Sequence, residues 1–170
     1  MQNKTLKIVL DTGFLSSLFK IKKLELVKNF FGVNCVYIPN AVLVELSKSK
    51  FFADFASIVA SCEDKTSENR WVVVLNTKTT GIIDEKFGSG EREATAIAKE
   101  LNAVLLIDDR TAKKAAAENN INAFSLDMFL KACKVNGLID AEEMKKILAD
   151  LEEKDNYQFK EEIENELIEN

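Results

Sequence analysis

The sequence predicts an α/β fold in which helices cover both faces of a mostly parallel sheet. Short apolar runs of strand length alternate along the chain with segments whose apolar residues recur at helical spacing. Helical crossovers between parallel strands are right-handed and place helices on both sheet faces. At 170 residues, the chain is expected to form one domain with a proper core.

The first half of the chain predicts three strands and several helices. The strands are predicted at residues 5–10, 34–38 and 71–75. Helical patterns cover residues 12–20, 22–31 and 50–62, and a further helix follows the only proline, Pro39, which suits a first helical turn. Residues 76–88 hold two Gly and several Thr and Lys, which is typical of a loop with at most a short helix.

The second half of the chain predicts two more strands, at residues 103–107 and 121–125. Its capping residues are expected to be Ser125 before a helix, Gly137 as a terminator, Asp140 with Glu143 as a capping box, and Asn156 before a final acidic helix. That tail carries an apolar stripe at helical spacing, so we expect it to dock on the domain. The predicted helices are 89–101, 110–119, 126–136 and 140–154, and the stripe is Tyr157, Phe159, Ile163 and Leu167.

Composition excludes several classes of function. The chain has no histidine, which excludes a serine or cysteine nucleophile paired with histidine and any zinc site that needs imidazole. A net charge of −5 argues against broad electrostatic attraction to nucleic acid, although a local basic groove remains compatible with it. An enzyme built from this chain would depend on carboxylates, Lys, Arg and Tyr.

The sequence also predicts where the protein is located and whether its cysteines are reduced. No apolar stretch approaches the roughly 20 residues that cross a bilayer, so no membrane partner is expected. The apolar run near the N-terminus is too short for a signal peptide, and the protein is expected in the cytoplasm. Three cysteines without a CxxC spacing are predicted to be reduced core residues (Cys35, Cys62 and Cys133).

Carboxylates stand where apolar stretches end or turn. Asp11 closes LKIVL, Glu45 interrupts PNAVLVEL, Glu91 opens GSGEREATAIAKEL, and Asp108 with Asp109 closes AVLLI. Ligands of open parallel sheets bind beyond the carboxyl ends of the strands, so these acids are expected to gather at one rim. Clustered carboxylates repel one another, and divalent cations relieve that repulsion. The pattern therefore suggests a metal site and metal-assisted chemistry on phosphate esters.

Each acid also has a purely structural interpretation. Asp11 is equally well explained as the N-cap of the following helix, whereas two consecutive acids, Asp108 and Asp109, exceed what one cap requires. A carboxylate in the first helical turn, such as Glu91, is stabilised by the helix dipole, and Glu93 shares that explanation. Glu45 lies among apolar residues, so it faces either solvent or a lined cavity.

The order and surroundings of these acids resemble the PIN-domain family, whose members are mostly metal-dependent ribonucleases. The matching segments cover most of residues 4–139. They are KIVLDTGFL, IPNAVLVEL, GSGEREATAIAKELNAVLLIDDRTAKKAA and INAFSLDMFLKACKVNGLI, of which the last two are the most specific. Thr12 matches the small hydroxyl residue that often follows the first Asp of the family.

The resemblance implies a Rossmann-like, three-layer α/β/α fold with a C-terminal helical extension. Residues 1–139 would form the nuclease domain and residues 140–170 the extension. One or two Mg²⁺ or Mn²⁺ ions would be held by the acids, and the substrate would be single-stranded or structured RNA. Carried over by position, the catalytic and metal-binding acids are Asp11, Glu45, Glu91 and Asp109, with Asp108 as the register alternative for the last.

The chain departs from the family pattern in places. Gly13 stands where many members have Asn or Ser, no motif matches between Glu45 and Glu91, and the extension resembles that of a loosely characterised prokaryotic branch. A toxin role with an antitoxin protein as partner is one option that the resemblance leaves open. The rival function is a non-catalytic module of the same fold that binds nucleic acid or protein. A phosphatase fits poorly because Asp11-Thr12-Gly13 lacks an Asp-x-Asp pair.

Two further expectations come from surface residues. Arg110, Lys113, Lys114 and Lys48 are candidates for contacts with a nucleic-acid backbone, although each also fits a solvated helix charge. The 11 Phe residues and the apolar stripe of the acidic tail predict a homodimer, unless they only seat the C-terminal helices.

Overall fold

The computed structural model describes residues 6–78 and 81–169. Residue 5 of the first predicted strand and residues 79–80 of the predicted loop lie outside the described residues. The described elements follow one another as β1 (Ile8–Leu10), α1 (Thr12–Lys20), α2 (Glu25–Phe31), β2 (Val36–Pro39), α3 (Asn40–Leu46), α4 (Phe52–Ala56), β3 (Val59–Ala60), β4 (Val72–Leu75), α5 (Ser89–Leu101), β5 (Val104–Leu106), α6 (Arg110–Glu118), β6 (Ala123–Phe124), α7 (Leu126–Val135), α8 (Ala141–Asp155) and α9 (Glu161–Glu169).

The strands form one sheet in the order β3-β4-β2-β1-β5-β6. Every strand pair within the described residues is parallel. In the middle of the sheet, Val9 of β1 lies opposite Tyr37 on one side and Leu105 on the other. After β1, the chain adds β2, β3 and β4 on one side of β1. It then returns to add β5 and β6 on the other side. Ligands of open α/β sheets bind where the winding reverses, so the carboxyl ends of β1 and β5 are the expected place for a site.

Alternating side chains along the strands build one hydrophobic core on each face of the sheet. Ile8 and Leu10 belong to the larger core, which the buried residues of α1, α7 and α8 also line. Val9 points into the second core, which is closed by alanine-rich faces of α5 and α6. This period-2 alternation is what a parallel sheet buried on both faces requires. The predicted α/β fold with a mostly parallel sheet is confirmed.

The C-terminal helices pack on the larger core. Met144, Ile147 and Leu151 of α8 are fully buried, and Leu167 of α9 is 2% exposed. The predicted apolar stripe of the tail packs there as well. Lys134 of α7 donates to the carbonyl oxygens of Leu167 and Ile168, at 2.9 and 2.6 Å, where α9 ends. The predicted division of the chain at residue 139 is not tested by this packing and stays a prediction.

The segment 50–62 is where the predicted secondary structure was wrong. Instead of one amphipathic helix it forms the short α4, then β3, and Glu63–Lys65 adds a 3-10 turn. The Ile58 carbonyl accepts hydrogen bonds from the backbone N–H groups of Trp71 and Val72, at 2.9 and 3.0 Å. Hydrogen bonding to β4 therefore overrides the local helical period, because the edge of β4 offers backbone partners to this segment.

Three of the predicted caps behave differently. Asn156 ends α8 in the left-handed conformation, with φ of 53°, and does not begin the last helix. Asp140 does cap α8 by accepting from the Glu143 N–H at 2.8 Å, but the Glu143 side chain binds Lys23 instead of closing the box. Ser125 occupies the N-cap position of α7, yet its hydroxyl accepts from Lys113. Gly137 follows α7 with φ of 72°, as expected of a terminator.

Two further expectations concern membranes and cysteines. No helix in residues 6–78 or 81–169 is both long and apolar enough to cross a membrane. All three cysteines are free thiols. Cys133 is buried in the larger core, whereas Cys35 and Cys62 are only half-buried.

Candidate metal centre

The five predicted acids line one cavity of about 570 Å³. It lies where β1 and β5 end and where α5 begins, as the parallel sheet requires. Asp11 follows β1, Glu45 lies on α3, Glu91 lies in the first turn of α5, and Asp108 with Asp109 follows β5. The remaining lining residues are Thr12, Gly13, Gly88, Arg110 and Thr111. The structure therefore brings together every acid that the sequence selected.

Asp11 is both a helix cap and a wall of this cavity. It is only 3% exposed, and its Oδ1 accepts a hydrogen bond from the Phe14 N–H at 2.8 Å. Burial, with smaller contributions from the nearby carboxylates of Asp108 and Glu91, raises the pKa of Asp11 from 3.8 to about 7, and the hydrogen bond from the Phe14 N–H opposes this rise. The structural and functional interpretations of Asp11 are thus compatible, because the same carboxylate caps α1 and lines the cavity.

Glu45 joins the starts of two helices inside the cavity. Thr12 at the start of α1 donates its hydroxyl to Glu45 Oε2. The Ser89 hydroxyl and the Gly90 N–H, at the start of α5, donate to Oε1 at 3.3 and 3.2 Å. Of the two open interpretations of Glu45, the structure therefore supports the lined cavity. Its apolar neighbours Val42 and Leu46 are buried.

Gly90 is a site residue that the sequence analysis missed. A Cβ at this position would lie 2.9 Å from Thr12 Oγ1 and 3.1 Å from both Glu45 oxygens. Only a residue without a side chain lets the start of α5 approach Glu45 this closely. The available signal was the spacing GSGE, in which a glycine immediately precedes the acid.

Substituting Gly90 with alanine is therefore expected to disturb the Thr12–Glu45 pair and destabilise the protein by about 1–3 kcal/mol, as overpacking does. Urea unfolding of the variant measures this loss. Gly13→Ala is the matched control, since Gly13 also lies in a first helical turn and its new Cβ would make only ordinary contacts, at 3.7 Å from Asp11 Oδ2 and 3.9 Å from Asp108 Cβ. Equal stability of the two variants would contradict the close packing at Gly90.

Glu91 and Asp109 each use one oxygen to cap a helix and face each other across the cavity. Glu91 Oε2 accepts from the Gly88 N–H at 2.9 Å, and Asp109 Oδ1 accepts from the Ala112 N–H at 2.6 Å. Partial burial raises the pKa of Glu91, and repulsion from the carboxylates of Asp109 and Glu45 adds to the rise. Glu93, by contrast, is not among the residues that line the cavity, and its carboxylate accepts from the Ala41 N–H at 3.1 Å.

Asp108 is held by residues that follow it in the chain. Its Oδ1 accepts hydrogen bonds from the Tyr157 hydroxyl at 3.1 Å and from the Leu126 N–H at 3.4 Å. Burial raises the pKa of Asp108, and these two donors oppose the rise. Both Asp108 and Asp109 line the cavity, so the structure leaves the register alternative between them open. Tyr157 was predicted only as part of an apolar stripe, although its polar tip was a signal for a buried partner.

The donor set suits a hard divalent cation, although a coordination sphere is not already assembled. Carboxylate oxygens are the ligands that Mg²⁺ and Mn²⁺ prefer, and the mutual repulsion of these acids is what a cation relieves. Within the described ranges, no group of three or more acidic or thiol side chains is arranged to hold one ion. Four of the acids, Asp11, Glu91, Asp108 and Asp109, accept hydrogen bonds within the protein through one oxygen each, so a cation can bind their other oxygens without displacing the donors.

The predicted basic residues have different environments. Arg110 lines the acidic cavity. Lys113 turns to α7 and donates to Ser125 Oγ and to Met128 Sδ, at 2.9 and 3.1 Å, so it ties α6 to α7. Lys114 is exposed and lines a neighbouring cavity of about 380 Å³. Lys48 is exposed in the turn after α3.

Comparison with known proteins places this geometry in a family. The family model described as "DUF3368: PIN domain" matches residues 7–170. A PilT N-terminus domain protein from the hyperthermophilic archaeon Sulfolobus solfataricus P2 has a similar solved structure, with a TM-score of 0.48 and 21% sequence identity. The similarity covers 73% of this chain and 90% of that one. No curated protein matches significantly. Because the matching model spans nearly the whole chain, the protein belongs to the PIN-domain family.

Proposed function

We propose that the protein is an endoribonuclease that cleaves RNA phosphodiester bonds with Mg²⁺ or Mn²⁺ held by its acidic cavity. The observation that carries the proposal is the convergence of five carboxylates, from four separate parts of the chain, on one cavity at the winding reversal of the sheet. PIN domains are commonly nucleases and generally use divalent metals. The absence of histidine is compatible with this chemistry, because carboxylates alone can hold the cation.

The residues of this chain have distinct tasks in the proposed reaction. Asp11, Glu45, Glu91 and Asp109 would hold the cation, with Asp108 as the alternative to Asp109. A bound Mg²⁺ or Mn²⁺ supplies charge neutralisation at the scissile phosphate and lowers the pKa of an attacking water.

Other side chains orient the acids and the substrate. Thr12 and the Gly90 N–H hold the Glu45 carboxylate, and burial around Asp11 keeps bulk water from screening its charge. Arg110 at the cavity wall is placed to donate to a phosphate oxygen.

The test of this function is cleavage of a single-stranded RNA and of a hairpin RNA by the unmodified protein. Cleavage is expected with Mn²⁺ or Mg²⁺ and is expected to stop when EDTA is added. The rival function, a non-catalytic module, predicts binding of the same RNA without cleavage under any metal. An assay that detects neither cleavage nor binding of RNA would contradict both the nuclease and the RNA-binding module.

The neighbouring cavity suggests where the RNA strand runs. Thr111 lines both this cavity and the acidic one, so the two are adjacent at the start of α6. The second cavity adds Lys114, Lys86 and the half-buried ring of Phe87, with the Lys86 ammonium 5.2 Å from the centre of that ring. Cations for the backbone beside an aromatic surface for stacking are typical of single-strand binding. The acidic residues Asp84 and Glu118 also line it, which restricts the favourable path to the lysine side.

Replacing Lys114 with alanine is expected to weaken RNA binding and to reduce the slope of log affinity against log salt by about 0.7–1, the change for one lost phosphate contact. The control is Lys99→Ala, which removes an exposed lysine near the start of β5, at the opposite end of the strands. Binding is measured in EDTA at several salt concentrations. An unchanged slope for Lys114→Ala would exclude this path.

Association with proteins also belongs to the proposal. The Phe residues that suggested a homodimer all pack against the two cores. They seat the helices of one chain, so a homodimer now has less support. The homodimer and an antitoxin partner stay predictions.

A further inference from the structure

The segment between α8 and α9 reaches the acidic cavity through one hydroxyl group. Tyr157 donates to Asp108 Oδ1 at 3.1 Å, although it lies 49 residues further along the chain. Within the described residues, the donors to the Asp108 side chain are the Tyr157 hydroxyl and the Leu126 N–H. The contact therefore comes from the part of the chain that the sequence analysis treated as an extension.

The approach of Tyr157 is anchored on α1, the helix that begins directly after Asp11. Asp155, the last residue of α8, accepts hydrogen bonds from Ser17 Oγ and Lys20 Nζ of α1, both at 2.5 Å. The Asp155 side chain is only 9% exposed, so solvent screens this anchor weakly. Asn156 then turns the chain in the left-handed conformation, and Tyr157 follows immediately.

Packing contacts also hold the Tyr157 ring in place. It packs edge-on against Phe159, with ring centres 4.9 Å apart, and both rings contact the larger core. The Tyr157 hydroxyl donates to Asp108 Oδ1 from this fixed ring. Together with the Leu126 N–H, it fixes one oxygen of Asp108 and leaves the carboxylate with a defined orientation at the cavity wall.

We propose that Tyr157 is a positioning residue of the metal centre, which orients the Asp108 carboxylate and makes the C-terminal extension part of the site. This inference rests on the proposed metal-dependent function. Outer hydrogen-bond partners of metal-binding carboxylates orient them, and their removal typically costs 10–100-fold in metal affinity or activity. The inference therefore requires that Asp108, and not Asp109 alone, contributes to cation binding.

The experiment compares Mn²⁺ affinity of three full-length proteins by electron paramagnetic resonance, without RNA. The unmodified protein and Tyr157→Phe differ only in the hydroxyl, since phenylalanine keeps the ring that packs on Phe159. The matched control is Tyr37→Phe, a 3% exposed tyrosine of β2 whose hydroxyl contacts Cys35 Sγ at 3.6 Å. Circular dichroism verifies that each variant is folded.

The expected result is a dissociation constant about tenfold larger for Tyr157→Phe and unchanged for Tyr37→Phe. Equal affinity in the unmodified protein and Tyr157→Phe overturns the positioning role and leaves the metal site standing. Tighter binding by Tyr157→Phe also overturns it, because the hydroxyl would then compete with the cation for Asp108. An unmodified protein that does not bind Mn²⁺ removes the metal site itself, and this inference with it.

Discussion

Replacing Asp11 with asparagine is expected to reduce metal-dependent RNA cleavage by roughly 10³-fold or more. Asparagine keeps the shape of the side chain, and its carbonyl oxygen still accepts from the Phe14 N–H, so the start of α1 is preserved. The substitution removes the charge that holds a cation. Metal ions contribute several kcal/mol of charge stabilisation in the transition state, and each 1.36 kcal/mol lost is about tenfold in rate.

The control for this experiment is Asp140→Asn. Asp140 is also an N-cap, and it accepts from the Glu143 N–H at 2.8 Å, the same distance as in the Asp11 cap. It lies at the start of α8 and does not line the acidic cavity. Initial rates are measured with Mn²⁺ on one single-stranded RNA. Full activity in Asp11→Asn would show that Asp11 is only a helix cap, and equal losses in both variants would show that capping explains the effect.

The second large effect concerns stability without metal. In EDTA at pH 8, Asp11→Asn is expected to be more stable than the unmodified protein by about 1–4 kcal/mol. Because burial raises the pKa of Asp11 from 3.8 to about 7, its charged form destabilises the folded state. The full difference between these values corresponds to about 4 kcal/mol at 1.36 kcal/mol per pKa unit, which is an upper limit.

The sign of this effect gives it a pH window. The folded protein binds the Asp11 proton more tightly than the unfolded chain, so the unfavourable contribution is complete above pH 7 and disappears as pH falls towards 3.8. The advantage of Asp11→Asn should therefore shrink between pH 8 and pH 4. Thermal melting in EDTA at several pH values measures it, at roughly 2–4 °C per kcal/mol for a chain of this size.

Two further comparisons separate charge from capping. Asp11→Ala also removes the charge but loses the acceptor for the Phe14 N–H, so it should fall about 1 kcal/mol below Asp11→Asn. Adding Mn²⁺ at a hundredfold excess over its dissociation constant should stabilise the unmodified protein by about 2.7 kcal/mol and Asp11→Asn by less. A constant difference between the unmodified protein and Asp11→Asn from pH 4 to pH 8 would contradict the buried charge.

Local patterns in the sequence were sufficient for the fold class and for the acids that follow the strands. The apolar runs ending at Asp11 and Asp108 are strands because their residues are buried on both faces, and parallel pairing brings their ends to one rim. The alanine-rich helical pattern that Glu91 opens is an equally local signal. Such features depend on residues close together in the chain, and a sequence shows these directly.

Only the tertiary structure decided the contacts between residues far apart in the chain. Residues 59 and 60 are a strand because β4 lies beside them, and Glu45 is a cavity residue because α1 and α5 bring donors to it. Lys113 contacts the start of α7 and not the acidic cavity, because its ammonium donates a hydrogen bond to the Ser125 hydroxyl.

The same distinction applies to the metal centre. The sequence by itself indicated that Asp11 and the Asp108–Asp109 pair would meet, because the carboxyl ends of parallel strands share one edge of the sheet. It could not determine that Gly90 must lack a side chain or that Tyr157 would hold Asp108, because both depend on where separate helices pack. Packing of side chains from distant segments is a property of the folded core, and local periodicity carries no information about it.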